Sequence, residues 1–423
     1  MKNIVLFGAG KSATCLIDYL VNICTKKNWS LFIGDADMDS LNKKLPVSPA
    51  VHPVKVNVEN HAERISLIQK ADLVISLLPP ALHIFIARDC LIHSRNLLTA
   101  SYVDDEIRLL SNEIKAKKLI FLCEMGLDPG IDHMSAMQLI HRIKDEGGLI
   151  SSFRSHTGGL VAPESDDNPW HYKISWNPSN VVRAGSAGAV YKENNRIINL
   201  DYQSLFEHTG EVEIKPLGNF SYYPNRDSLA YIPVYGLEKA HTFIRTTLRH
   251  PVYCNGWKNL VSAKLTLEKI IPSSDKTFAD WSAPLLPFID DDNKYLYTSL
   301  GLFENQLLPD GIRNSSKILQ YILEKKWMMQ PYDKDMILMM HEFEYRIGVQ
   351  NKKLKSSLIV KGENALKTAM AKTVGLPLGI AAKLILENKM SLFGLQIPTI
   401  KEIYEPVLEE LAREGICFKE MAN

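Results

Sequence analysis

The chain has 423 residues, 46% of them hydrophobic, which is enough to bury a large core and to fill roughly two or three domains. Lysine and arginine number 49 against 48 aspartate and glutamate, and no basic run alternates with aromatics, which argues against nucleic acid as the main partner. No charged, apolar and small-residue segments follow one another at the start, and no uncharged stretch reaches membrane-spanning length. The expectation is a cytoplasmic protein without a membrane partner.

The first apolar run, Ile4-Val5-Leu6-Phe7, ends in Gly8-Ala9-Gly10-Lys11-Ser12-Ala13, after which Leu16, Ile17 and Leu20 recur at helical spacing. Strand, tight turn and helix in this order suit a pyrophosphate. The glycines let it approach the backbone, Ala13 packs close to the strand, and the helix N-terminus supplies amide donors. A second strand, Leu31-Phe32-Ile33-Gly34, ends in Asp35, where dinucleotide folds carry the acid that binds the ribose hydroxyls. The same carboxylate repels a 2′-phosphate, and Asp35-Ala36-Asp37-Met38-Asp39 offers no arginine to receive one, so NAD is expected over NADP. A glycine-rich turn with no ligand is the rival reading.

Further strands are predicted at Val54 to Val58, Leu73 to Leu78, Asn96 to Ala100 and Leu119 to Cys123, with a helix over Ile107 to Lys117. This alternation predicts an α/β fold with a Rossmann-type, doubly wound parallel sheet. Ligands belong at the carboxyl ends of its strands, where Ser76, Leu77 and Leu78 before Pro79-Pro80, then Ser101-Tyr102 and Glu124 to Pro129, all fall. Next come Asp128-Pro129-Gly130-Ile131-Asp132-His133 and, later, Gly158-Gly159-Leu160-Val161-Ala162-Pro163-Glu164. Such density of Asp, His, Glu, Gly and Pro suits a substrate site better than a core, and the first segment lies where a nicotinamide meets its substrate. The chain reads as an oxidoreductase.

Cys15, Cys24, Cys90, Cys123, Cys254 and Cys417 show no zinc or redox spacing, and reduced core thiols are expected, Cys123 included. His341-Glu342-Phe343-Glu344 lacks a second histidine at i+4 and reads as a solvated helical face. No metal is expected.

The segments Ser76-Leu77-Leu78-Pro79, Thr99 to Val103, Gly126 to His133, Gly158-Gly159-Leu160 with Ala162-Pro163-Glu164, and Tyr223-Pro224-Asn225-Arg226-Asp227-Ser228 carry a resemblance. Asp167-Asn168-Pro169, Tyr172 to Trp176, Arg245 to Arg249, Met370 to Pro377 and Ile403 to Leu408 extend it over nearly the whole chain. Together they resemble the saccharopine dehydrogenase (L-glutamate-forming), or saccharopine reductase, family. Two departures stand out. Fungal members carry a basic residue after the second strand and use NADP, whereas Asp35 looks like the NAD-linked form fused to lysine–ketoglutarate reductase in animals. They also carry a cysteine where this chain has Thr157, so a thiol there is not essential.

The resemblance implies a dinucleotide domain over 1–130 completed by about 388–423. It implies a mixed α/β domain over 131–240 with about 341–387 that holds substrate and forms a homodimer, and a mainly helical insertion over 241–340. Ile318, Leu319, Ile322, Leu323 and Trp327 make one helical face in that insertion, and Pro398, Thr399 and Glu402 look like a capped helix start before buried Tyr404, Val407, Leu408 and Leu411. The implied reaction oxidises the secondary amine of saccharopine and hydrolyses the imine to L-glutamate and 2-aminoadipate 6-semialdehyde. Asp128, or a water it orients, is the implied base and Tyr102 a hydrogen-bond donor, or both position the substrate. His133 is a candidate proton relay, or starts a helix as a structural group. Arg226 and Arg245 are expected to grip substrate carboxylates through bidentate guanidinium forks, with Ser101, Lys173 and Ser175 also in the substrate site. The alternatives are a related amine or opine-type reductase such as carboxynorspermidine dehydrogenase, and a catalytically idle NAD-binding protein.

Overall fold

Ile4, Val5, Leu6 and Phe7 have no exposed surface. Their strand, Asn3–Phe7, is flanked by parallel neighbours Ser30–Asp35 and Leu73–Ser76, and strands covered on both faces read as continuous apolar runs. The computed structural model describes residues 1–271 and 276–422. Among these, a seven-stranded parallel sheet runs in the order Gly394–Gln396, Ile120–Leu122, Asn96–Thr99, Leu73–Ser76, Asn3–Phe7, Ser30–Asp35, Val51–Lys55. The chain builds outward to one side of Asn3–Phe7 and then to the other. This creates a topological switch between Asn3–Phe7 and Leu73–Ser76, where open α/β sheets bind ligands.

Two local expectations shift. The strand expected at Val54 to Val58 is Val51–Lys55, an edge strand of low burial that tolerates Pro53 because one side of its ladder is unpaired. The helix expected over Ile107 to Lys117 is broken at Leu110 into Asp105–Leu109 and Ser111–Ala116.

The chain divides into two units, Met1–Arg142 with Leu366–Cys417, and Ile143–Ala365 with Phe418–Asn423. This differs from the expected boundaries at several places, beginning with the first unit itself, which runs on through Arg142 rather than ending at 130. The helix Ala369–Leu386 belongs with the dinucleotide sheet and packs closely on helix Thr14–Lys27, because a side chain at Gly375 or Gly379 would run into Leu16 or Tyr19. By length and composition Ala369–Leu386 is apolar enough to cross a bilayer, yet most of it is buried in this unit. The last strand, Lys419–Ala422, pairs with Gln350–Lys361 of the second unit. Finally, Thr242–Arg249 is an interior strand of the second sheet, so the helical segment starts at Pro251–Ser262 rather than at 241.

The second unit holds a ten-stranded mixed sheet among its described residues. Its main path is Gly210–Ile214, Gly218–Pro224, Thr242–Arg249, Leu149–Val161, Asp335–Ile347, Gln350–Lys361, Lys419–Ala422. Thr242–Arg249 runs parallel to Leu149–Val161, while Asp335–Ile347 is antiparallel to both of its neighbours. The helical segment packs its apolar faces onto residues from 170 to 206 around Trp170, Tyr253, Trp257 and Trp327, so the insertion and sheet share one core. Ile318, Leu319, Ile322 and Leu323 of helix Ser315–Lys326 enter that core as the spacing predicts. In helix Lys401–Arg413 of the first unit, Ile403, Tyr404, Val407 and Leu411 are buried, but Ile400 precedes it without a side-chain cap, so Thr399 does not cap it.

Candidate active site

The strand Asn3–Phe7 ends in Gly8, at φ +93°, with an N–H that donates to Gly34 O at 3.0 Å. A side chain at Gly8 would meet Leu77 O at 2.8 Å, so this glycine packs the turn against the next loop. Gly10 differs, because a Cβ there would meet nothing within 4 Å. The space above Gly10 is open to a ligand, and this fits a pyrophosphate approaching the backbone. Lys11 is exposed, Ser12 half-buried and Ala13 buried in the short 3-10 turn that leads into Thr14–Lys27. Asp35 completes the cradle. Its Oδ2 accepts the Ala9 N–H at 2.6 Å and its Oδ1 accepts the Asp37 N–H at 2.8 Å, which aims the carboxylate at the turn. The fold also supplies a group the residue pattern does not reveal. Lys44, after helix Met38–Asn42, donates its Nζ to the carbonyls of Ala9 and Gly10.

Ser76 ends the next strand and is buried, and its Oγ lies 2.8 Å from His83 Nδ1. The other nitrogen, His83 Nε2, lies 2.8 Å from Ser101 Oγ, with Thr99 Oγ1 at 3.4 Å. Burial pushes the His83 imidazole down to about 4, against an opposing pull from Asp104, so it is neutral and passes one hydrogen bond each way. His83 thus ties the loop of Ser76, Leu77 and Leu78 to Ser101 and Tyr102. Nothing in the residue pattern marks it, because its partners come from the ends of two separate strands.

Tyr102 Oη donates to Asp128 Oδ1 at 3.0 Å, joining the ends of two neighbouring strands. The supporting structure is Glu124, which has φ +58°. One of its carboxylate oxygens accepts the Val103 N–H at 3.1 Å and the other lies 2.8 Å from His133 Nε2. Gly130, at φ +148°, permits a backbone turn in which a Cβ would fall 2.0 Å from Gly126 O, and its N–H donates to Asp132 Oδ1 at 2.6 Å. His133 has no exposed surface and its Nδ1 lies 3.8 Å from Asp132. Of the two readings open for His133, this geometry matches the structural one, a group in helix Ile131–Asp145 that clamps Glu124. Burial pushes the Cys123 thiol far above its ordinary range, with Glu124 and Asp104 adding to the effect, as suits a core thiol.

In the second unit, Asn225 N donates to Arg245 O at 2.8 Å and Arg245 N donates to Ser228 Oγ at 3.0 Å. The 223–228 turn is thereby stitched to strand Thr242–Arg249, and both arginines stand on one local framework. Arg226 is exposed at φ +53°, whereas Arg245 is buried with its guanidinium 4.6 Å from the Tyr231 ring centroid. Lys173 departs from expectation. Its Nζ bonds Asp167 and Asp333, each at 2.7 Å, and although burial pulls the ammonium down, the carboxylates hold it above the ordinary lysine value. A lysine neutralised by two acids is a structural tie rather than a carboxylate receptor. Ser175 is buried. His341 and Glu342 lie in strand Asp335–Ile347, not on a helix, and His341 is fully buried against Phe153 and Phe418. The run of polar letters misled because a strand buries alternate residues.

A glycine turn at the switch point, an acid at the second strand end and a tyrosine–carboxylate pair at later strand ends are the features of a dinucleotide-binding protein of the α/β class. Residues 4–122 match the saccharopine dehydrogenase NADP binding domain and residues 126–416 the saccharopine dehydrogenase C-terminal domain. The chain belongs to the saccharopine dehydrogenase family. It is 32% identical over 445 residues to the mitochondrial alpha-aminoadipic semialdehyde synthase of Bos taurus, covering 99% of this chain and 47% of that one. It thus spans about half the length of these curated relatives. It is 28% identical to the saccharopine dehydrogenase (NADP(+), L-glutamate-forming) of Schizosaccharomyces pombe, covering 99% of each. The solved apo saccharopine dehydrogenase (L-Glu forming) of Saccharomyces cerevisiae superposes with a TM-score of 0.88 at 27% identity, over 100% of both chains. A homospermidine synthase of Legionella pneumophila, at 0.60 and 11% identity, shares the fold.

Proposed function

We propose that this protein catalyses the NAD-dependent oxidation of saccharopine to L-glutamate and 2-aminoadipate 6-semialdehyde, reversibly, within lysine metabolism. The observation that carries this reading is the 3.0 Å hydrogen bond between Tyr102 and Asp128 at the strand ends of the dinucleotide unit. A phenol donating to Asp128 favours its carboxylate form, and a carboxylate is what must take a proton from the secondary ammonium before that nitrogen can release electrons. A nicotinamide dinucleotide would be held by the Gly8–Ala13 turn and Asp35 and would supply the acceptor for a hydride from the methylene carbon next to nitrogen, so that the substrate is left as an imine. Asp128 then directs water onto the imine carbon, and Tyr102 donates toward nitrogen as the carbinolamine collapses, releasing the amine of glutamate and the aldehyde. Arg226 and Arg245 bind carboxylates of the substrate, for which guanidinium forks are suited.

Asp35 supports NAD. Each of its oxygens accepts one backbone N–H and keeps a lone pair for a ribose hydroxyl, and its charge opposes a 2′-phosphate. The names of the fungal relatives point instead to NADP, so the two dinucleotides are to be compared directly. Reduced-nicotinamide absorbance is followed with saccharopine plus NAD, and separately plus NADP. A rise faster with NAD supports the reading. A rise with NADP alone keeps the reaction and discards the role of Asp35, and no rise with either removes saccharopine as substrate. A cytoplasmic homodimer belongs to the same proposal, with light scattering at twice the chain mass as the check on its assembly.

A further inference from the structure

The residue Ala9 is held from both sides by opposite charges. Asp35 Oδ2 accepts its N–H at 2.6 Å, and Lys44 Nζ donates to its carbonyl and, at 3.0 Å, to that of Gly10. Lys44 is partly buried there, and its ammonium is lowered by burial, partly restored by Asp35 and Asp37, and lowered again by Lys11. In a dinucleotide fold the strand-end acid takes the adenosine ribose hydroxyls and the turn takes the pyrophosphate. An ammonium beside both therefore borders the ribose 2′ position. Its present acceptors are uncharged carbonyls, and a phosphate dianion is a stronger acceptor than either.

We propose that Lys44 is a second determinant of cofactor choice, a cation that offsets Asp35 and gives the site a weaker, second affinity for dinucleotides bearing a 2′-phosphate. This rests on the dinucleotide reading above and deepens it. The segment after the second strand carries no arginine for that phosphate, and the fold substitutes a lysine delivered from beyond the Met38–Asn42 helix.

The test is calorimetric titration of NADH and NADPH into the wild-type chain, K44M and K44R, with no substrate present. K44M is expected to lose NADPH affinity about tenfold or more and NADH affinity less than about threefold, the loss of one charge-assisted bond, while K44R retains both. Equal losses for the two dinucleotides assign Lys44 to the pyrophosphate or to propping the turn and overturn the proposal, as does unchanged NADPH binding. Thermal unfolding of each variant separates a collapsed turn from a lost contact, and K44Q replaces K44M if the latter unfolds early. A wild type that binds neither dinucleotide removes the cofactor reading and this inference with it. A wild type that prefers NADPH overturns the NAD preference and the second rank given to NADPH, and a selective loss in K44M then still supports Lys44 as a determinant of cofactor choice.

Discussion

His133 Nε2 lies 2.8 Å from one oxygen of Glu124, while the other oxygen of the same carboxylate accepts the Val103 N–H at 3.1 Å. Through this bridge the helix Ile131–Asp145 holds the strand end that carries Tyr102. Replacing Glu124 with alanine leaves a buried imidazole and a backbone N–H without their acceptor, and should destabilise the dinucleotide unit by about 3 kcal/mol. Urea unfolding checks this, and a change below about 1 kcal/mol would show that the bridge is dispensable.

Stability should fall in mild acid through His83. Its folded value, about 4, lies below the ordinary histidine value of 6.5, so between the two the unfolded chain binds the extra proton. The contribution is therefore complete above pH 6.5 and is lost as pH falls toward 4, about 3 kcal/mol in all. His83→Gln, which keeps a donor and an acceptor between Ser76 and Ser101, should be less stable at neutral pH and less sensitive over this range. Unfolding midpoints of both proteins across pH 4 to 7 measure the difference, and parallel curves would remove His83 as the cause.

The two glycines of the turn should respond differently to alanine. Gly8→Ala forces a Cβ to 2.8 Å from Leu77 O at a positive φ and should cost about 1–3 kcal/mol of stability. Gly10→Ala meets no protein atom within 4 Å, so thermal unfolding should hardly change while NADH binding weakens about tenfold or more, because the methyl occupies the ligand's approach. Unchanged NADH affinity in Gly10→Ala would place the dinucleotide elsewhere.

Tyr102→Phe and Asp128→Asn should each slow turnover, and the double variant should be slower than either by less than the product of the two effects. Two groups sharing a 3.0 Å bond act as one unit, with a coupling of about 1–2 kcal/mol. Additive losses in kcat would mean that the pair does not cooperate in the reaction.

Arg245→Ala should raise the apparent KM for saccharopine by about 100-fold with a smaller change in kcat, and Arg245→Lys should recover only part of it, since an ammonium cannot present a bidentate fork. Steady-state kinetics decide this, and an unchanged KM would leave Arg245 as packing for Tyr231.

Much of the dinucleotide unit was legible along the chain because its information is local. The run Ile4 to Phe7, the turn through Ala13, the helical face of Leu16, Ile17 and Leu20, and Asp35 closing the next strand all lie within one βαβ unit. Hydrophobic period and glycine sterics specify such a unit without reference to distant residues. The specific segment ending in His133 likewise marked the family. Tertiary structure alone decided the rest, since side-chain pairing across strand ends and sheet edges leaves no period in the sequence. It joined Ser76, His83 and Ser101, set Lys44 against Ala9, and turned Lys173 toward Asp333 and away from a substrate role. It also assigned the helix Ala369–Leu386 to the first unit and Lys419–Ala422 to the second, because those choices follow from which apolar surface and which strand edge were left to cover.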